Sequence, residues 1–252
     1  MAIDRIRGIL LKTERANKHI ADLDTGITAF LDSKPYTLGA KPHPVPQIEH
    51  TTLFVASVEP VPDCLAPIVG DAVHNLRSAL DHLAWQLVEA SGGTPNRDTY
   101  FPICKTPQQY ASAIGKGEIK RMRSGAEKIL SSIQPYATGD DTLRFIHELD
   151  RFDKHRLLIT VASTMDKWGV DVFKGQTLWF DENRFLPLVP GYEIVNIPTS
   201  TYDRQPHQDF KLGVDVAFGT PEIAEGNLVL PTLRKLADAV DGLVRKIETF
   251  LL

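Results

Sequence analysis

Between Gly70 and Trp85 the chain sets two histidines, two aspartates, an asparagine, an arginine and a serine into a run otherwise made of core-type residues. At about 100° per residue, Leu76, Ala79, Leu80, Leu83 and Leu87 gather on one side of a helix, with Val69, Ala72 and Val73 behind them. His74, Ser78, Asp81 and Trp85 form a stripe on the other side, flanked by Arg77 on one edge and by Asn75 and His82 on the other. An ordinary solvated face uses Lys, Glu and Gln. This one uses groups that accept, donate and titrate, which makes it the best candidate site in the chain.

A second unusual stretch runs from His147 to Leu158 and carries Asp150, Asp153, Lys154, His155 and Arg156. The sequence predicts a helix from Asp140-Asp141 to about Met165, with apolar residues nearly all the way round. Such a helix is usually buried, and charges embedded in it are costly unless paired or functional. Asp150 with Lys154, and Asp153 with Arg156, have the spacing of pairs within one helix. The expected arrangement sets Arg77, Asp81 and His82 against Asp150, Asp153 or His155 across a helix–helix contact, with Lys154, His155 and Arg156 as candidate substrate-binding residues.

Other elements must hold these two helices. Residues Asp4 to Ser33 read as a long amphipathic helix, with Ile6, Leu10, Ile20, Leu23, Ile27 and Leu31 at three- and four-residue steps, ended by Lys34-Pro35. Tyr36 to Ala40 and Gln47 to Val58 read as strands that pair across a proline loop. Asp63 is placed to cap the helix of the opening stretch, which Ser91-Gly92-Gly93 should stop near Ala90. Thr106-Pro107 suits the start of a short helix, and 124–133 reads as another. From Gly169 to about Phe218 the apolar period returns to two, as in antiparallel strands. A last helix begins near Pro231, where Leu236, Val240, Leu243, Ile247 and Phe250 repeat in steps of four and three. The expected fold class is α+β: one domain over 1–252, with a helical core of four to five helices from about 1–33, 63–165 and 231–252. An antiparallel β-sheet is built from about 36–60 and 168–220.

The formal net charge of −4 over 252 residues argues against a dedicated, high-affinity DNA binder but leaves room for RNA in a local basic cleft. Lys116 to Arg123 is one such basic cluster, though clusters of this kind are more often a solvated face. Met1 to Arg5 lacks the apolar core of a secretory signal, and no apolar run approaches the roughly 20 residues of a membrane span. Cys64 and Cys104 have no metal-type spacing. A cytoplasmic protein with reduced thiols is expected.

Arg77-Ser78-Ala79-Leu80-Asp81-His82 fits R-x4-H, and the pattern resembles the signature of the HEPN superfamily, helical-bundle proteins that include ribonucleases of toxin and phage-defence systems. The resemblance covers about residues 63–165, and departs from the family in having Ser78 after the arginine and strands at both ends of the bundle. His-Asn-Leu-Arg-Ser-Ala-Leu-Asp-His followed by Asp-Lys-His-Arg is also similar to uncharacterised bacterial proteins. The HEPN resemblance implies metal-independent RNA cleavage with no cofactor, by a homodimer whose two copies face one cleft, and leaves room for a neutralising partner protein. It implies that Arg77 holds the scissile phosphate and stabilises its charge, and that His82 is general base or acid with Asp81 or Asn75 orienting it. His74 completes the candidate catalytic set.

Two other readings stand beside it. A metal-dependent hydrolase would draw on His74, Asp81 and His82 with Asp150, Asp153 or His155, but the chain has neither H-E-x-x-H nor paired Glu-x-x-His motifs. A non-catalytic structural or binding protein would use the same residues as a buried interhelical network, through pairs such as Asp81 with Arg156 or Asp153 with Arg77.

Overall fold

The computed structural model describes residues 2–45, 47–115, 124–139, 141–156, 162–173, 176–202, 210–219 and 226–251. The fold is α+β, and the chain divides into two compact units. The first comprises residues 1–23, 66–158 and 230–252, and the second 24–65 and 159–229.

The first unit is helical. Its centre is α2 (Leu65–Ala90), where Val69, Ala72, Val73, Leu76, Ala79, Leu80, Leu83, Ala84, Leu87 and Val88 are all buried. That set spans more than one face, so α2 lies under other helices rather than against one. Its end is built as the Ser91-Gly92-Gly93 signal predicts. Gly92 takes a left-handed φ of 77°, and the Gly93 N–H returns to the Val88 carbonyl at 3.0 Å. Helix α1 (Ala2–Asp32) opens the chain and buries Ile9, Ala16, Ile20, Leu23, Ile27 and Phe30 at helical spacing, its residues to Leu23 lying in this unit. Helix α3 (Pro107–Gly115) is capped by Thr106, whose hydroxyl accepts the Gln109 N–H at 3.2 Å. It is tied to α4 (Ser124–Ile133) by the Tyr110 hydroxyl, which donates to the Leu130 carbonyl.

Helix α5 (Asp141–Asp153) ends about three turns short of the predicted Met165. It is amphipathic rather than apolar all round: Leu143, Ile146, Leu149 and Asp150 are buried, while Phe145 and Phe152 are half-buried. The backbone turns at His155 and Arg156, both bonded to the Phe152 carbonyl. It has entered a strand by Ala162. Ile159-Thr160-Val161, outside the described residues, is a β-branched run, the composition that disfavours helix and favours strand. A short helix, α6 (Thr199–Tyr202), lies in the second unit, and it is followed by α7 (Val229–Ile247), which buries Leu233, Leu236, Val240, Val244 and Ile247.

The second unit holds the strands, in two three-stranded antiparallel sheets. In the first, β2 (His50–Val58) lies between β1 (Tyr36–Pro42) and β5 (Glu193–Pro198). In the second, β3 (Ala162–Phe173) lies between β4 (Gln176–Pro187) and β6 (Phe210–Ala217). Helix α6 follows β5. Val55, Leu188 and Leu212 form a shared core, and the Tyr36 hydroxyl accepts the Leu212 N–H at 3.1 Å. Trp168 stacks on Phe180 with ring centres 4.3 Å apart. Among the described residues, no helix is long and apolar enough to cross a membrane.

Candidate functional site

The site residues lie in the helical unit, where α2 meets α5 and the extended loop after α2. Arg77 and Asp81 are one turn apart on α2 and pair within it, with Nη2 2.9 Å from Oδ1. Together they grip the backbone of one residue, Phe101. The Arg77 Nη2 donates to the Phe101 carbonyl at 3.3 Å, and Asp81 Oδ1 accepts the Phe101 N–H at 2.9 Å. The Phe101 ring is buried, and the preceding Tyr100 is left 53% exposed. Neither interhelical pair proposed from the sequence forms this core. Arg77 is turned to Asp81 instead of Asp153, and Arg156 is exposed in the turn after α5.

Burial outweighs pairing at both ends of this ion pair. It pushes the Asp81 carboxyl above its ordinary pKa despite the opposing Arg77 charge and the Phe101 N–H. It also lowers the Arg77 guanidinium despite Asp81 and Asp150, although an arginine stays protonated throughout the physiological range. Arg77 Nη1 is buried and has no hydrogen-bond partner among the described residues.

Helix α5 does meet α2, through a different set of atoms from those expected. Asp150, almost fully buried, places Oδ1 3.0 Å from His74 Nδ1 and Oδ2 2.6 Å from Lys154 Nζ. An ionised carboxylate only accepts, so His74 Nδ1 is the donor in this contact. Its Nε2 lies 3.5 Å from Ser78 Oγ, and the His74 side chain is 55% exposed. Asp153 packs against Gly70, where a Cβ would overlap its carboxylate. The close approach of α5 to α2 at this point therefore depends on the missing side chain.

Arg77, Asp81, Asp150, Lys154 and His147 line a cavity of about 490 Å³ with Tyr100 at its edge. His147 was not among the sequence candidates. Its Nδ1 is buried without a partner, and burial, aided by Arg77, lowers its pKa and keeps the ring neutral. The signal for it was its place three residues before Asp150, which sets both on one face of α5.

Of the remaining candidates, Asn75 bonds back to the Asp71 carbonyl of its own helix at 2.8 Å. His155 and Arg156 are exposed beyond the end of α5. His82 lies on the other edge of α2, with its Nδ1 3.5 Å from where a Gly8 side chain would begin on α1. Burial first, then the Lys12 charge, lower its pKa. It lines a second cavity of about 490 Å³, which shares Asp81 and Tyr100 with the cavity that Arg77 lines. The R-x4-H pair is thus divided between two cavities. Among the described residues, no three His, Cys, Asp or Glu side chains are grouped to hold a metal ion, so the mixed set of the metal reading is not assembled. The basic run 116–123 and His207 lie outside the described residues.

Comparison with protein-family models, with curated proteins and with solved structures returns no match. The functional reading therefore rests on the geometry above.

Proposed function

We propose that the protein is a metal-independent endoribonuclease of HEPN type, working through Arg77 and the His74–Asp150 pair. The observation that carries this reading is a buried guanidinium with an unpartnered Nη1, lining a cavity that Asp150 and Lys154 also line. A buried donor left without a partner costs roughly 1–3 kcal/mol, more when charged, and a phosphate oxygen would satisfy it. Beside it, His74 is oriented by Asp150 through Nδ1, as a general base is, with Nε2 turned to the Ser78 hydroxyl at 3.5 Å.

In the reaction, His74 Nε2 takes the proton of a ribose 2′-hydroxyl, and the 2′-oxygen attacks the adjacent phosphorus. The P–O5′ bond breaks, and the departing 5′-oxygen takes its proton from water. The products are a 2′,3′-cyclic phosphate and a 5′-hydroxyl. Arg77 and the Lys154 ammonium bear the charge that gathers on the phosphoryl oxygens. The base differs from the one the HEPN resemblance implies, since His82 lies in the neighbouring cavity. The resemblance also implies RNA as substrate and a homodimer with two such sites facing one cleft, in a cytoplasmic setting.

Purified protein should cleave RNA in EDTA and leave cyclic phosphate ends. His74→Gln should slow that cleavage by about 100-fold or more. Its melting temperature should fall little, because Asp150 keeps Lys154 and the lost side chain is largely exposed. Cleavage that requires a divalent ion, or a His74→Gln variant as fast as the parent, would overturn the reading.

A second reading is favoured by the grip on the Phe101 peptide, which uses one Arg77 nitrogen and one Asp81 oxygen for architecture alone. On that reading Arg77 is a structural residue, and its removal costs stability without touching any reaction.

A further inference from the structure

The cavity that His82 lines has no role in the chemistry above. At about 490 Å³ it is within the range of small-ligand sites, about 300–1,000 Å³. Two aromatic side chains border it, Trp85 at 39% exposure and Tyr100 at 53%. Large aromatics left open beside a cavity are platforms for a flat ligand. The Trp85 indole is held in place, since its N–H donates to Glu89 Oε1 at 3.0 Å. Gln86 also lines it, and its buried Oε1 has no hydrogen-bond partner among the described residues. An orphaned buried acceptor is rare in a folded protein and calls for a donor. At the mouth, Asn96 and Thr99 close a tight turn, the Thr99 hydroxyl accepting the Asn96 N–H at 3.0 Å and Asn96 Oδ1 accepting the Asp98 N–H at 2.9 Å. That turn presents Arg97 almost fully to solvent, with Asp98 only distantly paired at 3.9 Å.

We infer that this cavity binds a nucleobase bearing an exocyclic amine, presented by a single-stranded nucleic acid. The base stacks against Trp85 and Tyr100, its amine donates to Gln86 Oε1, and Arg97 meets the backbone phosphate. Because Asp81 and Tyr100 line both cavities, a strand seated here carries its neighbouring phosphate towards Arg77. The assignment names the substrate class of the proposed ribonuclease and rests on that reading for its purpose, but the binding is measurable without any cleavage.

The probe is a pair of fluorescein-labelled DNA decamers, oligo(dC) and oligo(dU), which differ at the exocyclic position and, lacking a 2′-hydroxyl, cannot be cut by the proposed route. Fluorescence anisotropy on the full chain should give binding of oligo(dC) at least ten-fold tighter than of oligo(dU). Trp85→Ala should weaken oligo(dC) by ten-fold or more. Gln86→Leu, of similar size, should bring the two decamers level while circular dichroism reports an unchanged fold. Equal binding of both decamers by the parent protein, no binding of either, or a Trp85→Ala variant that binds like the parent would each overturn the inference. If selective binding is found and RNA is not cleaved, the ribonuclease reading fails and this one stands. If RNA is cleaved and neither decamer binds, the reverse holds.

Discussion

Arg77→Met tests whether the centre of the site is a grip on the Phe101 peptide or an open phosphate site. Methionine keeps most of the buried stem, so the cavity left behind is small. What is lost is the charge. Asp81 then keeps only the Phe101 N–H, and the Phe101 carbonyl loses its donor from α2. Removing one partner of a fully buried ion pair costs about 3–5 kcal/mol, and the 26% exposure of the Asp81 side chain discounts this to about 2–4 kcal/mol. The penalty also has a pH dependence of known sign. Asp81 is already pushed up by burial, and Arg77 is the charge that holds it down, so the variant raises it further. A carboxyl whose folded pKa lies above its unfolded value adds stability that is present below the unfolded pKa and lost as pH rises through the folded one. The penalty in Arg77→Met should therefore be smaller near pH 4.5 than at pH 8. Urea unfolding followed by circular dichroism at both values measures it, and Arg77→Met with Asp81→Leu should recover much of the loss, because the stranded charge is gone. A penalty below about 1 kcal/mol, or one that does not change with pH, would refute the buried pair.

Gly70→Ala should destabilise the helical unit by about 1–3 kcal/mol, since the new methyl overlaps the Asp153 carboxylate and α5 must shift from α2; an unchanged denaturation midpoint would contradict that contact. The burial that lowers His19, His82 and His147 favours their neutral forms in the folded chain. Stability from these groups is complete above the unfolded histidine pKa and is lost as pH falls through their lowered folded values, so the melting temperature should drop between pH 7 and pH 5. His147→Gln should flatten that slope, and a slope unaltered by the substitution would assign it elsewhere.

How far the site was legible differs from residue to residue, for physical reasons. The buried face of α2 and the stop at Gly92-Gly93 follow from periodicity and from glycine's freedom at positive φ, both local properties of the chain. The Arg77–Asp81 pair was also local, one turn apart, yet the expectation reached across to α5 for partners. The Phe101 peptide explains the difference. A chain segment twenty residues downstream returns to bridge the two side chains, and no helical wheel records where a loop returns. The end of α5 was misread because Leu157 and Ile159 fall on the apolar sides of a continued helical wheel, while Ile159-Thr160-Val161 carried the contrary signal.

The division of Arg77 from His82 was in the sequence all along. Five residues at about 100° each bring a side chain round by about 500°, which is about 140° from its starting direction. One copy of a straight helix therefore turns the two groups of R-x4-H away from each other, and the structure places them in separate cavities. His74 and Arg77, three residues apart, diverge by only about 60° and both come under the influence of Asp150. For His82 to act on a phosphate held by Arg77, the catalytic pair must be completed by a second copy of the chain. For His74 to act, a single copy suffices. Activity of mixed dimers separates these cases: an Arg77→Ala chain combined with a His82→Ala chain restores cleavage only where the two residues work from different copies. A His74→Gln chain combined with Arg77→Ala restores nothing if those two act within one.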